Sequence, residues 1–326
     1  MADHQTHETD LLVIGAGPTG LFATYYAGFR GLRVAIVDSL PELGGQITAM
    51  YPEKMILDVA GFPSVKGRDL VEGLVAQAAT ADPAYFLDRT AMTLQEDDDG
   101  VTVGLDDGTD IRTKAVLVTA GIGKFSPRPL PAGEGWLGRG LEFFVPSFAP
   151  YAGKDVVIVG GGDSAFDWAL HLEPVAKSVT LVHRRDAFRA HERTVQAVKA
   201  TSVDIVTRAQ VSAIHGNGTV ESVDITVDGE VTTRPAQAVV AALGFVADLG
   251  PLQKWGIEVE KRHIVVDSSM RTNLPRVFAA GDVTEYPGKV RLIAVGFGEA
   301  ATAVNNAAVV VDPTAHVFPG HSSEGS

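Results

Sequence analysis

The chain has 326 residues, 45% hydrophobic and 21% charged, an ordinary globular composition at a length that suggests two domains, each with its own core. Its 27 basic against 40 acidic side chains leave a net charge of −13, so the surface as a whole repels nucleic acid and anionic membranes. With no cysteine, disulfide relays, thiol nucleophiles, Cys-ligated zinc and iron–sulfur clusters are excluded, and any redox work needs a borrowed cofactor.

The polar start Met1 to Asp10 lacks the basic and apolar regions of a signal peptide. The longest apolar run, Ala238 to Ala247, is ten residues where a spanning helix needs about 20. The expectation is a soluble, cytoplasmic protein without membrane insertion.

Asp10 to Ile14 is a short apolar run that enters Gly15-Ala-Gly-Pro-Thr-Gly20. A helix-compatible stretch to Arg30 follows, then Leu32 to Val37 and Asp38, so the order is strand, tight turn, helix, strand. In Gly15-x-Gly17-x-x-Gly20 the first glycine permits the turn, the second lets a pyrophosphate approach the backbone, and the third lets helix and strand pack closely. Asp38, eighteen residues past Gly20, ends the next strand, where a carboxylate accepts hydrogen bonds from ribose hydroxyls.

The same order recurs downstream. Asp155 to Val159 enters Gly160-Gly-Gly-Asp-Ser-Ala165, a helix-like stretch runs to Glu173, and strand Ser178 to Val182 ends at His183. Gly160, Gly162 and Ala165 take the three fingerprint places, with Asp163 and Ser164 between them. The second strand here is followed by His183-Arg184-Arg185, and Arg189 stands close behind. Guanidinium groups bind a ribose 2′-phosphate bidentately and a carboxylate repels it, so the first turn suits an unphosphorylated ribose and the second suits NADP. The competing reading of the arginines is a solvated basic face neutralised by Asp186 and Glu192.

Turn signals at Asp99-Gly100, Asp107-Gly108, Asn217-Gly218 and Asp228-Gly229 separate short alternating strands after each unit, and each set leads into an apolar strand, Ala115 to Gly121 and Ala238 to Gly244. From Phe245 the chain holds strands at Ile264 to Asp267 and Arg276 to Ala280 and a helix from Leu292 to Val311, with no third glycine fingerprint. It therefore returns to complete the first unit. The fold expected is α/β, two Rossmann-like three-layer ββα nucleotide-binding domains, the NADPH-binding domain (125–244) inserted in a discontinuous FAD-binding domain (1–124 and 245–326). Two nucleotide units without sulfur or an obvious metal site suggest hydride transfer between NADPH and a flavin. Asp282, after Gly281 at a strand end, is aimed at the ligand crevice, where it could bind a ribityl hydroxyl. The last helix begins near that crevice, and its dipole could stabilise negative charge on a reduced flavin by about 0.3 to 2 kcal/mol.

GAGPTG at 15–20, ELGGQ at 42–46, TAGIGKFSPR at 119–128, GGGDSA at 160–165, HRRDAFRA at 183–190 and FAAGDV at 278–283 jointly resemble the thioredoxin-reductase-like flavoproteins, without their CxxC pair. Tyr51-Pro-Glu-Lys54, Asp58-Val-Ala-Gly-Phe-Pro63 and the tail His321-Ser-Ser323 resemble the bacterial ferredoxin–NADP reductases of this type. That resemblance implies an FAD site using Thr19, Asp38, Gln46, Tyr51, Ala91, Phe125, Asp282 and Ser323, with Tyr51 stacked on one flavin face and His321 over the other. It also implies hydride from NADPH to flavin N5, single electrons to ferredoxin or flavodoxin, a homodimer, and a hinge near Lys124 and Gly244; the alternatives are an NADPH-dependent flavin reductase of small acceptors (quinone, ferric chelate, oxygen) and a non-catalytic nucleotide-binding regulator. An acidic carrier would dock on basic residues, for which Lys54, Lys124, Arg128, Lys289 and Arg291 are candidates.

Overall fold

A computed structural model describes residues 6–121, 123–318 and 320. The chain divides into two compact units, Met1–Lys124 with Ala247–Ser326, and Phe125–Val246.

The first unit is built on a five-stranded parallel sheet in the order Val277–Ala279, Ala115–Val118, Leu11–Ile14, Val34–Asp38, Ala84–Leu87. Its three central strands and Val277–Ala279 are buried along their whole length, which is why they read as unbroken apolar runs rather than alternating ones. Helix Pro18–Phe29 has Pro18 in its first turn, where a missing N–H costs nothing. It packs against helices Gly67–Ala79 and Ile293–Val311. Helix Gly67–Ala79 was not anticipated from sequence, although Leu70, Val71, Leu74 and Ala78 bury one face at helical spacing. Strand Ala84–Leu87 also escaped, because it is a half-buried edge with no alternation.

A second sheet of this unit joins Thr6–Glu8, Asp110–Thr113, Gly100–Leu105 and Ala91–Asp97. Its first hairpin turns at Asp98-Asp99, one residue before the glycine signal, with Asp97 pairing Gly100. The carboxylate of Asp97 explains the shift: it accepts the N–H groups of Asp99 at 2.9 Å and Gly100 at 3.0 Å, a side-chain substitute for a glycine turn.

The second unit repeats the plan. Its five-stranded parallel sheet runs Leu141–Glu142, Ala238–Ala241, Asp155–Val159, Ser178–Val182, Asp204–Val206. Helix Asp163–Leu172 follows the second fingerprint, and a meander of Ala209–His215, Ser222–Val227 and Glu230–Pro235 lies in sequence between parallel strands Asp204–Val206 and Ala238–Ala241. The last hairpin turns on Asp228-Gly229 with φ of 47° and 91°, the left-handed pair a two-residue turn requires.

Helix Ile293–Val311 is long and apolar enough to cross a membrane by length and composition. It carries the buried Glu299, and it packs against helix Pro18–Phe29 and strand Ala115–Val118 as a core element.

Candidate functional site

In a parallel sheet every strand delivers its carboxyl end to one edge, and ligands bind in the crevice beyond it. In the first unit that edge collects Gly15, Asp38, Thr119 and Gly281 from four strands. Gly15, at φ +109°, donates its N–H to the carbonyl of Val37 at 2.8 Å, and a β-carbon there would lie 2.5 Å from the Thr119 carbonyl oxygen. A β-carbon at Gly20 would lie 1.8 Å from the Gly15 carbonyl oxygen, so the third glycine sets how closely helix and turn approach. Beside Gly17, by contrast, a β-carbon would meet nothing within 4 Å.

Asp38 is buried at the end of its strand. Its carboxylate accepts the Ala16 N–H at 2.5 Å and the Leu40 N–H at 2.8 Å, one on each oxygen, so it braces the glycine turn. Two lone-pair sites remain, enough for hydroxyl donors from a ribose. Burial raises its carboxyl above the ordinary aspartate value, and the two backbone donors oppose that rise.

Segment 43–46 lies against this turn. Gly44 donates to the Ala16 carbonyl at 2.9 Å, and a β-carbon at Gly45 would fall 2.9 Å from the Cα of Gly17. Gln46, which opens helix Gln46–Met50, reaches the loop after strand Ala115–Val118: its Nε2 lies 2.9 Å from where a Gly121 β-carbon would stand. Tyr51 closes that helix; burial, and then the carboxylates of Asp282 and Asp58, push its phenol up to about 12. Ala91 is buried at the start of its strand, two residues after Arg89, whose N–H bonds to the Asp38 carbonyl at 3.0 Å.

Thr19 is wedged between two glycines. β-Carbons at Gly281 and Gly296 would lie 2.9 Å and 2.4 Å from its Oγ1, which brings the first fingerprint helix, the turn before Asp282 and the start of helix Ile293–Val311 together. Asp282 is partly buried, and burial raises its carboxyl against the opposing charges of Lys289 and Arg291. Phe125 is placed by its backbone on strand Lys124–Pro127. His321 and Ser323 lie outside the described residues.

Two polar residues of this crevice were missed in the sequence. Thr119 donates its hydroxyl to the Gly15 carbonyl at 2.8 Å; a threonine ending an otherwise apolar strand was the available signal. Glu299 is the other, an acid in an otherwise apolar helix. Its Oε2 accepts the Gly281 N–H at 2.7 Å, and its Oε1 accepts both the Tyr286 hydroxyl and the Lys289 ammonium at 2.5 Å. The Lys289 side chain is only 1% exposed, which corrects its expected place on a docking surface. Such a pair is weak evidence for net stability, since desolvation offsets the attraction, so its interest lies in what it positions.

In the second unit Gly160 donates to the Val182 carbonyl at 3.0 Å, the counterpart of Gly15. A β-carbon at Gly160 would meet Ala165 Cβ at 2.9 Å, and one at Gly162 would meet nothing within 4 Å. Asp163 accepts the His191 N–H at 2.8 Å and the Arg189 N–H bonds to the Gly161 carbonyl at 2.8 Å, so the arginine loop is stitched to the glycine turn. Asp163 thus braces the loop, while Ser164 is exposed on the first helical turn. His183 packs over Gly161 and 5.5 Å from the Phe188 ring; burial, and then the charges of Arg184, Arg185 and Arg189, hold its imidazole below the ordinary value.

The three guanidiniums are exposed around it. The acids that could have neutralised them are engaged elsewhere among the described residues. Asp186 pairs with Arg208 at 3.5 Å, and Glu192 accepts from Gln196 at 2.5 Å. Three adjacent positive charges are therefore left facing solvent, an arrangement suited to a phosphate dianion.

Both fingerprint helices begin without a side-chain cap, leaving their first N–H groups for a phosphate. Helix Ile293–Val311 likewise lacks a side-chain cap and an acid in its first turn. Open space beside Gly17 and Gly162, a carboxylate at the first ribose position and guanidiniums at the second fit FAD and NADPH respectively.

Residues 9–307 match the family model described as pyridine nucleotide-disulphide oxidoreductase. The chain is 87% identical over 323 residues to the ferredoxin–NADP reductase of Nocardioides sp., covering 98% of each chain. It is 62% identical over 318 residues to that of Frankia alni, covering 97% of this chain and 99% of the relative. Among solved structures, thioredoxin reductase from T. acidophilum superposes with a TM-score of 0.81 at 27% identity, covering 93% of this chain and 98% of that one. The Lactococcus lactis thioredoxin reductase gives 0.79 at 26%, covering 93% and 99%.

Proposed function

This chain belongs to the pyridine nucleotide-disulphide oxidoreductase family, and we propose that within it the protein is an FAD-dependent ferredoxin–NADP(+) oxidoreductase. With no cysteine, the thiol chemistry in the family's name has no residue to run on here. The cofactors are FAD and NADPH. When bound, FAD would supply the conversion between a two-electron hydride donor, NADPH, and single electrons for ferredoxin.

The protein's own part is binding and electrostatics. The Gly15–Gly20 turn and Asp38 hold the FAD pyrophosphate and ribose, Thr19, Gln46 and Asp282 line the crevice beyond the strand ends, and Tyr51 offers its ring to the flavin. Ala91, Phe125 and Ser323 complete the FAD contacts and His321 covers the second flavin face. The turn Gly160, Gly162, Ser164 and Ala165, with Asp163 and His183 supporting it, holds the NADPH pyrophosphate, and Arg184, Arg185 and Arg189 clamp the 2′-phosphate. No side chain is required as a general base for hydride transfer, so positioning carries the rate.

The observation that carries this reading is the contrast between the two repeats: one ends its second strand in a buried carboxylate, the other in three guanidiniums without carboxylate partners among the described residues. Flavodoxin as an alternative carrier, a homodimer and a cytoplasmic location belong to the same reading. Of the cations expected to dock a carrier, Lys289 is buried, Arg291 is ion-paired with Glu285 at 2.6 Å and Lys54 lies over the Tyr51 ring, so Arg128 is the one we propose for that role.

The test is NADPH-driven cytochrome c reduction with and without added ferredoxin, then with flavodoxin. A rate that rises with carrier concentration supports the assignment. Equal rates with and without carrier, together with rapid turnover of quinones or ferric chelates, would make the protein a reductase of small acceptors instead.

A further inference from the structure

We propose that Glu299 and Lys289 are positioning residues for FAD, acting through the Gly281–Asp282 turn. Gly281 sits at φ +84°, and a β-carbon there would press on Thr19, so its conformation and its neighbour leave it no slack. Both of its backbone groups are taken by this pair: Glu299 accepts the N–H at 2.7 Å, and the Lys289 ammonium donates to the carbonyl oxygen at 2.9 Å. Thr284 Oγ1 donates to the same carbonyl at 2.8 Å, and the Tyr286 hydroxyl holds the far side of Glu299. The two peptides that flank Gly281, the second of which leads into Asp282, are thus each held by one member of a charged pair almost sealed from water.

Three features favour positioning over packing. Both members are charged, hydrogen-bonded and buried, a costly arrangement that is weak evidence for a purely stabilising role. It joins a loop to a helix ten residues on, and the point it grips is the residue before the proposed flavin-facing acid. Lys289 also brings positive charge near Asp282 and opposes the effect of burial on that carboxylate.

This inference rests on the assignment of Asp282 to the FAD site, and a double-mutant cycle separates the two. FAD is added to apoprotein of the parent, Asp282→Asn, Glu299→Gln and the combined variant, and the dissociation constant is read from quenching of FAD fluorescence, with visible circular dichroism of the bound flavin as a second readout. Glu299→Gln is expected to weaken FAD binding about tenfold and alter the flavin dichroism. The combined variant should bind hardly worse than Asp282→Asn alone, because Glu299 acts through Asp282. Losses that multiply would overturn the positioning role while leaving Asp282 in the FAD site. If Asp282→Asn binds FAD as the parent does, the site assignment fails and this inference with it.

To remove folding as an explanation, Glu299→Leu with Lys289→Met replaces the pair by apolar groups. It leaves the Gly281 N–H and the Tyr286 hydroxyl without their acceptor and should unfold at a lower temperature than the parent apoprotein; titrated well below its own transition, it should bind FAD about tenfold more weakly. Parent-like FAD affinity and dichroism in that variant would reduce the pair to a packing element.

Discussion

His183 lays its imidazole on the backbone of Gly161: a β-carbon at 161 would fall 2.3 Å from Cε1 of the ring and 2.4 Å from Nδ1. The middle glycine of the second turn is therefore required by the first residue of the arginine cluster rather than by a ligand.

Gly161→Ala should push the ring aside and move the loop that carries Arg184, Arg185 and Arg189. Because a partly exposed ring can swing out, the cost falls on the site more than on stability. The KM for NADPH should rise about tenfold with FAD content unchanged. An unchanged KM for NADPH would show that the contact does not set the position of the clamp.

Arg184→Ala with Arg185→Ala removes two of three guanidiniums that have no carboxylate partners in the described structure. Each charge-assisted bond to phosphate contributes about 1.5 to 3 kcal/mol. The KM for NADPH should rise by roughly 100-fold or more, and that for NADH should hardly change. Steady-state kinetics with both nucleotides decides it, and equal changes remove the phosphate clamp.

Gly296→Ala would put a methyl 2.4 Å from Thr19 Oγ1 in a place with no slack. Overpacking of this kind costs about 1 to 3 kcal/mol. Thermal unfolding should show the loss, and Thr19→Ala in the same chain should restore most of it. Absence of rescue would mean that the two residues are not in direct conflict.

Acid sensitivity should come in part from His183 and His263. Burial and neighbouring arginines hold both imidazoles below the ordinary value of 6.5, and Nδ1 of His263 is buried without a partner among the described residues. The unfolded chain then binds protons first as pH falls, so the stability from these groups is complete above about 6.5 and is lost as pH drops through their folded values. Thermal midpoints measured from pH 8 to pH 5 should fall less steeply for His183→Gln with His263→Gln than for the parent. Parallel curves would assign the acid loss to other groups.

Much of the fold was legible because its signals are local. Gly20 is required by the Gly15 carbonyl and Gly160 is pressed by Ala165, each within its own turn, and a fully buried parallel strand such as Val34–Asp38 announces itself as an apolar run. Strand Ala84–Leu87 was not legible, since an edge strand becomes a strand by pairing with residues 35–38, far off in sequence.

The site divides in the same way. The carboxylate at 38 and the arginines after 182 follow from their places at strand ends, whereas the partners of those charges do not. Lys289 reads as one more surface cation in a Pro-Gly-Lys turn, yet Glu299 and the Gly281 carbonyl draw its ammonium inside.

From the sequence by itself came the two nucleotide turns, the difference in charge between them and the absence of thiol chemistry, since each depends on residue type at short spacing. Tertiary structure alone decided which charges are spent on holding the protein together and which face a ligand. Desolvation and hydrogen bonding depend on neighbours brought together by folding, so Lys289 became a buried structural ion while Arg184, Arg185 and Arg189 face solvent.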